Sequence, residues 1–417
     1  MVELKEKMKF IDLFAGAGGL SLGLEQAGFE PVFVNEIDEK ALKTYFSNRK
    51  KYFPDGLKNE SSYLKDIESL TTEKLVEIDH YLSSKSAGKK SIDLIVGGPP
   101  CQGFSHMGYR RSHSVQKKDI PSNFLFLKMV EFVDFFQPKV FLFENVRGIK
   151  TSRWNGPQDK QTIFDDILQT FNKLEKYHVH DWELKAYDYG VPQNRPRVFV
   201  IGHRKDLGLP KDTFKAHPPV VIKPPPDLEV LLGDLEDPNY INGKETKEYT
   251  SKPNKVQKEY RKPKTSLLEH KYSGHKQEVI ARFRAMIKLK NNETLTTKEK
   301  EILKDYKTNS KKFSQKVLSA RWETKPNITV TSMPDDYIHY SLPRTLTVRE
   351  WARLQGFPDY YVFYGKRTTG GIRRAGNPRK KIYNRELPKY TQIGNAVSVG
   401  VARAIGKYIL KKIKKRS

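Results

Sequence analysis

Through the first two hundred residues, short apolar runs alternate with stretches whose apolar residues recur at helical spacing. That alternation predicts a parallel sheet covered by helices. Strands are expected at Phe10–Phe14, Val32–Glu36, Ile92–Val96, Val140–Glu144 and Val198–Ile201. Between them, Leu20–Ala27, Glu39–Phe46 and Phe124–Phe136 have the periodicity of helices that cover sheet faces. The outline is a doubly wound α/β domain. Past Gly202 the pattern breaks: Pro218, Pro219, Pro224, Pro225 and Pro226 cluster as an extended linker, and Lys becomes frequent through about Lys312. Val279–Leu289 and Thr294–Asp305 are expected helices there. Order returns with Ile328–Ser332 and Leu346–Leu354, and Val397–Leu410 predicts a last helix.

Composition narrows the picture. The chain has 417 residues, more than the roughly 250–300 at which single cores stop growing, so a large domain and a smaller one are expected. Lys and Arg number 76 against 49 Asp and Glu, a net charge of +27. A polyanionic partner, nucleic acid first, fits that excess, and a Lys-rich soluble surface has the same composition. One cysteine excludes an intramolecular disulfide framework and any metal site held by several thiolates, so no metal is expected and a reducing compartment is. No apolar run reaches the roughly 20 residues that span a bilayer, and Met1–Met8 lacks a signal-peptide core. A cytoplasmic protein with no membrane partner is the expectation.

The candidate chemistry lies at strand ends. Phe10-Ile11-Asp12-Leu13-Phe14-Ala15-Gly16-Ala17-Gly18-Gly19-Leu20 reads as strand, glycine-rich turn and helix start, where backbone approaches a ligand closely. Ser21 stands where a dinucleotide fingerprint has its third glycine, and no Lys-Ser/Thr phosphate clamp follows, which argues against NAD or nucleotide chemistry. A tight turn without a ligand has the same pattern. Glu36 ends the next strand, where an acid accepts hydrogen bonds from both ribose hydroxyls; helix capping is the rival role. Asp66 suits an amino group on an adenine ring or an ordinary surface position.

Gly97-Gly98-Pro99-Pro100-Cys101-Gln102-Gly103-Phe104-Ser105 follows an apolar strand and puts the only thiol on a rigid turn. A lone cysteine is commonly inert core, but glycine and proline on both sides suit a presented nucleophile better. The next strand ends Phe143-Glu144-Asn145-Val146, where burial should raise the carboxyl pKa and permit proton donation. The alternative is an ion pair with Arg195 or Arg197 of Gln193-Asn194-Arg195-Pro196-Arg197.

Together these blocks resemble the cytosine-C5 DNA methyltransferase family, matched in the family's order over about residues 9–203 and 318–406. The later blocks are Arg344-Thr345-Leu346-Thr347-Val348-Arg349-Glu350, Arg353-Leu354-Gln355-Gly356-Phe357-Pro358 and Gln392-Ile393-Gly394-Asn395-Ala396-Val397. The resemblance implies a Rossmann-like methyltransferase domain at 1–203 and a smaller domain at 204–388 with a variable target-recognition region at about 205–330. It also implies a terminal helical segment, 389–417, that returns to the first domain. It implies S-adenosylmethionine as methyl donor, S-adenosylhomocysteine as product, and double-stranded DNA as substrate. Cys101 would attack C6 of a flipped cytosine, Glu144 would contact N3, Arg195 would contact the base and Arg197 would support the site. Phe14, Gly16, Gly18, Glu36, Ile37, Asp66, Ile67, Pro100, Leu125 and Asn395 would line the donor pocket. A loop at about Phe104–Pro121, carrying Arg110, Arg111, Lys117 and Lys118, would close over the base.

The resemblance further implies a monomer acting in a bacterial restriction–modification system, with any cognate endonuclease on a separate chain. A related branch of the family acts on transfer RNA, and a catalytically silent DNA-binding protein is the other alternative. Within the recognition region, His270, His275, Arg282, Arg284 and Asn292 carry donors common at base and phosphate contacts. The chain departs from the compact family pattern between Phe363 and Tyr390. There Lys366, Arg367, Arg373, Arg374, Arg379, Lys380, Lys381, Arg385 and Lys389 face one acid, Glu386, and either a DNA-backbone contact or a surface insert (about 364–389) results. If the segment touches phosphates, replacing Arg373, Arg374, Arg379 and Lys380 with Glu will flatten the salt dependence of DNA binding. The expected loss is a slope of about 0.9 per contact removed; an unchanged slope in binding titrations rejects the idea.

Overall fold

The structure, a computed structural model, describes residues 7–85, 92–100, 117–156, 158–221, 223–263, 265–309, 315–369 and 386–414. Seven strands form one sheet: β1 (Lys9–Leu13), β2 (Glu30–Asn35), β3 (Tyr63–Leu64), β4 (Leu94–Gly97), β5 (Val140–Val146), β6 (Tyr177–Lys185) and β7 (Pro196–Arg204). Their order is β3-β2-β1-β4-β5-β7-β6. The first five are parallel, and β7 runs antiparallel between β5 and β6. The α/β sheet expected from the alternation is therefore present, but it is mixed and not wholly parallel: β6 and β7 are joined without a helical crossover, so β7 runs antiparallel.

The strands read as unbroken apolar runs because both faces are covered. On β5, Phe141 and Phe143 enter one layer and Val140 and Leu142 the other, all fully buried. Helices Thr72–Ser84, Phe126–Phe136 and Ile163–Asn172 cover the first face. Helices Gly19–Ala27 and Val399–Lys414 cover the second. The latter two pack almost backbone to backbone: a Cβ on Gly23 would lie 2.4 Å from the Ala402 Cβ and 2.5 Å from the Val399 carbonyl oxygen. Gly406 faces the Ala27 Cβ in the same way, at 2.7 Å.

Three elements of this domain carry no strong local signal. β6 is the edge strand Tyr-His-Val-His-Asp-Trp-Glu-Leu-Lys, half polar because its outer positions meet water. β3 has two residues. Helix Thr72–Ser84 buries only Leu75, Ile78 and Leu82.

Beyond β7, the expected helices appear as Gln277–Lys290 and Thr297–Asn309, and the proline cluster is pinned to the sheet domain by Tyr189 Oη donating to the Pro218 carbonyl (3.0 Å). Ile328–Ser332 forms no regular element, yet Ile328 and Val330 are fully buried. They join a third core with Leu228–Leu235, Leu346–Phe363 and Ile393 that also takes in Ala17 of the glycine turn. At its centre, all eight residues of helix Val348–Gln355 are buried, Arg349, Glu350 and Arg353 included. Such charges are tolerable inside only when paired. Arg353 forks onto Asp234 and Asp359, and Glu350 accepts both arms of Arg344 at 2.7 and 2.8 Å.

The Gly23 contact predicts a sharp asymmetry. Gly23→Ala is expected to destabilise the protein by about 1–3 kcal/mol through overpacking. Gly208→Ala, in open space at φ +63°, should lose no more than about 1 kcal/mol. Urea denaturation midpoints compare them, and equal shifts would refute the packing argument.

Candidate active site

Parallel strands end on one rim, and the chain's candidate residues sit there. Phe14 follows β1, Glu36 and Ile37 follow β2, Asp66 follows β3, Pro100 lies beyond β4, and Glu144 is near the end of β5. The helix after β1 lies on one sheet face and the helix Phe126–Phe136 after β4 on the other. Adjacent strands whose connections diverge in this way leave a crevice between their carboxyl ends.

On one side of the crevice is the glycine turn. Phe14, Gly16 and Gly18 all have positive φ (57°, 55° and 78°), a conformation that strains Phe14 and suits the glycines. The Phe14 amide donates to Asn35 Oδ1 at 3.2 Å. Glu36 accepts the Gly16 amide on one oxygen and the Asp38 amide on the other, both at 2.8 Å. Burial pushes the Glu36 carboxyl up to about 7, with those two amides pulling the other way. Next to it Ile37 is 62% exposed, an apolar side chain left uncovered beside the turn. Asp66 is exposed and caps a short turn by accepting the Glu68 amide (2.9 Å). Ile67 differs from the other candidates: its side chain is buried in the sheet-face core, against which Phe14 and Leu125 also pack.

Asn395, 383 positions after Asp12 in a chain of 417, ends helix Lys389–Asn395 and is exposed. Its neighbours come to the turn: a Cβ on Gly19 would meet the Ala396 Cβ at 2.9 Å and the Val397 carbonyl at 2.5 Å. The late segment thus completes the rim.

Across the crevice is Glu144, 8% exposed. Arg197 Nε lies 2.9 Å from its Oε1. The register explains the contact, since Arg197 opposes Val146 and Phe199 opposes Glu144, which leaves Arg197 diagonal to the carboxylate on the same face. Burial raises the carboxyl above its usual range, opposed first by Arg197 and then by Arg195. A Cβ on Gly98 would fall 2.9 Å from Glu144 Oε2, so the chain passes directly over the carboxylate three residues before Cys101. Asn145 Nδ2 donates to the Pro99 carbonyl at 3.4 Å.

Arg195 is placed otherwise. Its guanidinium, buried, donates to the carbonyls of Val330, Gly394 and Ala396. It joins three distant segments, while Arg197 takes the carboxylate. Cys101, and with it Arg110 and Arg111 of the expected loop, lies outside the described residues. Lys117 and Lys118 begin the single turn Lys117–Asp119.

The expected recognition donors divide as well. His270 is buried between Thr347 and the Leu235 carbonyl, His275 bonds Thr345, and Arg282 bonds Gln315 and lies over Tyr306. His270 is thus an internal support, His275 and Arg282 are half-buried with partners on the protein, and Arg284 and Asn292 are exposed. In the basic segment, Lys389 pairs with Glu269 (2.7 Å), Arg367 donates to the carbonyls of Lys271 and Tyr272, and residues 370–385 lie outside the described residues. Two residues at the turn, Arg49 and Tyr361, have no local pattern that marks them in the sequence. Among the described residues no His, Cys, Asp and Glu cluster could hold a metal, and no helix is long and apolar enough to cross a membrane.

The likeness to known proteins is extensive. Residues 8–411 match the family profile of the C-5 cytosine-specific DNA methylases. The Type II methyltransferase M.DdeI of Desulfomicrobium norvegicum is 36% identical over 96% of this chain and 88% of its own. The Type II methyltransferase M.FnuDI of Fusobacterium nucleatum is 30% identical over 96% and 94%. Among solved structures, the methyltransferase EhMeth of Entamoeba histolytica covers 98% of this chain and 100% of its own with a TM-score of 0.56; at 15% identity that likeness concerns the fold. The rim of strand ends described above thus belongs to a member of the C-5 cytosine-specific DNA methylase family, and the chain is a DNA cytosine-C5 methyltransferase.

Proposed function

We propose that the chain methylates a flipped cytosine through a covalent bond from Cys101, with Glu144 and Arg197 as the groups that manage charge on the base. The observation that carries this is the buried Glu144 carboxylate, paired with Arg197 and set against Gly98 of the Pro-Pro-Cys turn. The Cys101 thiolate adds to C6, and the ring electrons move to C5. A carboxyl group of raised pKa at N3 shares its proton with the ring as negative charge develops there. Arg197, close to that carboxylate, favours the same charge. C5 then takes the methyl group; loss of its proton to solvent water restores the C5–C6 double bond and expels the thiolate, and N3 returns its proton to Glu144. Arg195 ties the start of β7 to the Val330 and Gly394–Ala396 segments through its two Nη atoms, and its Nε is the group left for the expected contact with the base.

S-adenosylmethionine fits the turn side of the crevice, and when bound it supplies the methyl group and leaves as S-adenosylhomocysteine. An open space above Gly16, the Glu36 carboxylate and the uncovered Ile37 side chain make a site for a ribose and an apolar ring face. Phe14, Gly18, Asp66, the main chain of Ile67, Pro100, Leu125 and Asn395 are the further residues this reading assigns to the pocket. Likeness to two Type II methyltransferases supports a restriction–modification role, and the same reading has the chain act as a monomer with the cognate endonuclease as a separate chain.

Cys101→Ala is expected to abolish methyl transfer, and Glu144→Gln to lower kcat by about 10²–10⁴-fold with DNA affinity retained. A duplex carrying 5-fluorocytosine should be trapped on wild type in a denaturing gel and not on Cys101→Ala. Methylation by Cys101→Ala would overturn the mechanism. A second expectation concerns pH. The ionised Glu36 is the form that accepts two hydroxyl hydrogen bonds, so affinity for S-adenosylhomocysteine should rise as pH is raised through about 7. Glu36→Gln should bind more weakly and without that pH dependence in calorimetry; a wild-type affinity flat between pH 5.5 and 8.5 would refute the assignment.

A further inference from the structure

We propose that Arg49 and Tyr361 are positioning residues for the methyl donor: they hold the carbonyls of the glycine turn from behind and set donor affinity without touching the donor. The inference rests on the turn being the donor site, as argued above.

The turn has one open side and one filled side. Nothing lies within 4 Å of where a Cβ on Gly16 would stand, whereas a Cβ on Gly18 would fall 2.6 Å from Arg49 Nη1. On the filled side, Tyr361 Oη donates to the Ala17 carbonyl at 2.5 Å and Arg49 Nη2 to the Gly18 carbonyl at 2.8 Å. Arg49 is buried and makes four hydrogen bonds. Its Nε donates to Glu25 (2.7 Å), its Nη1 to Tyr361 Oη (2.9 Å) and to the Tyr45 carbonyl (3.2 Å), and it stacks over the Tyr45 ring at 3.9 Å. A planar fork is needed to reach these acceptors together, and an ammonium lacks one.

The restraint matters because the turn does not support itself. Three of its residues have positive φ, one of them a phenylalanine, and such backbone persists only where the surroundings over-determine it. With both carbonyls held behind, the Gly16 amide is left to face Glu36.

Tyr361 is 344 positions from Ala17, yet it does not approach alone. Val362 exchanges two hydrogen bonds with the Asn48 side chain (2.8 and 2.9 Å), and the Tyr364 amide donates to Thr44 Oγ1 (2.8 Å). The strap Tyr361–Tyr364 therefore lies along helix Glu39–Ser47, which begins three residues after Glu36. One piece of late chain braces both the turn and the element that follows the carboxylate.

Calorimetry of S-adenosylhomocysteine with the full chain, beside steady-state methylation of duplex DNA, tests this. Tyr361→Phe and Arg49→Lys are each expected to raise Kd about tenfold, the size of one or two hydrogen bonds. KM for S-adenosylmethionine should rise in step, with kcat at saturating donor within about twofold of wild type. Tyr177→Phe removes a buried hydroxyl that donates to the Pro138 carbonyl (2.7 Å) at the far edge of the sheet, and it should keep the wild-type Kd. Wild-type Kd in both turn variants, equal weakening in Tyr177→Phe, or a fall in kcat with Kd unchanged would overturn the proposal. Failure of wild type to bind S-adenosylhomocysteine would instead remove the donor-site reading, and the proposal with it.

Discussion

Five neighbouring strands run in one direction, and from that alignment most of the molecule follows. Their carboxyl ends share a rim, and at β1 and β4 the connecting helices leave toward opposite faces, so the rim opens into a crevice. The chain leaves β1 through a turn short enough to need glycines, then enters a helix that must lie close to the sheet. Helix Val399–Lys414 packs on that same helix across Gly23 and Gly406. Close approach of two helices thus fixes where the late residues of the chain can reach, and it carries Ala396 and Val397, next to Asn395, to the turn.

Burial acts on several carboxyl groups near the crevice, and their partners give them different characters. Glu144 is raised by desolvation and opposed by arginine, which suits a group that shares a proton with a substrate ring. Glu36 is raised to about 7 and held by main-chain amides, which leaves its oxygens aimed as acceptors. Asp12, beneath the turn, is also raised to about 7, with Ser21 Oγ donating to it at 2.5 Å and Tyr45 beyond. Ser21, whose presence argued against a dinucleotide fingerprint, has a structural use here: it satisfies a buried carboxyl.

The interior charges of helix Val348–Gln355 show the same economy on a larger scale. Arg344, Arg349 and Arg353 are fully buried and bonded to Glu350, Asp359, Asp234 or main-chain carbonyls. Replacing such clusters with apolar residues is often neutral for stability, but removing one member leaves a buried charge alone. Their geometric effect is to tie residues 234, 344 and 359 to one helix, whose Leu354 carbonyl and Gln355 side chain meet Gln193, two residues before Arg195.

Much of the catalytic domain was legible in local pattern. Strands buried on both faces are apolar throughout, turns that need positive φ carry glycine, and the candidate site residues follow strands, so β1, β2, β4, β5, β7 and their terminal residues stood out from the amino-acid order alone. The half-polar edge strand β6 and the two-residue β3 did not, because periodicity records burial and these strands have little. Arg195 and Arg197 mark the limit most clearly. Residues two apart look alike in a sequence, and only the register of β7 against β5 gave Glu144 to Arg197 and left Arg195 to distant carbonyls. The same holds for Arg49 with Tyr361, and for His270 and Arg282, whose donors are taken by partners on the protein. Composition and periodicity are properties of neighbours along the chain; which polar groups meet depends on pairing across hundreds of residues, and that the fold alone decided.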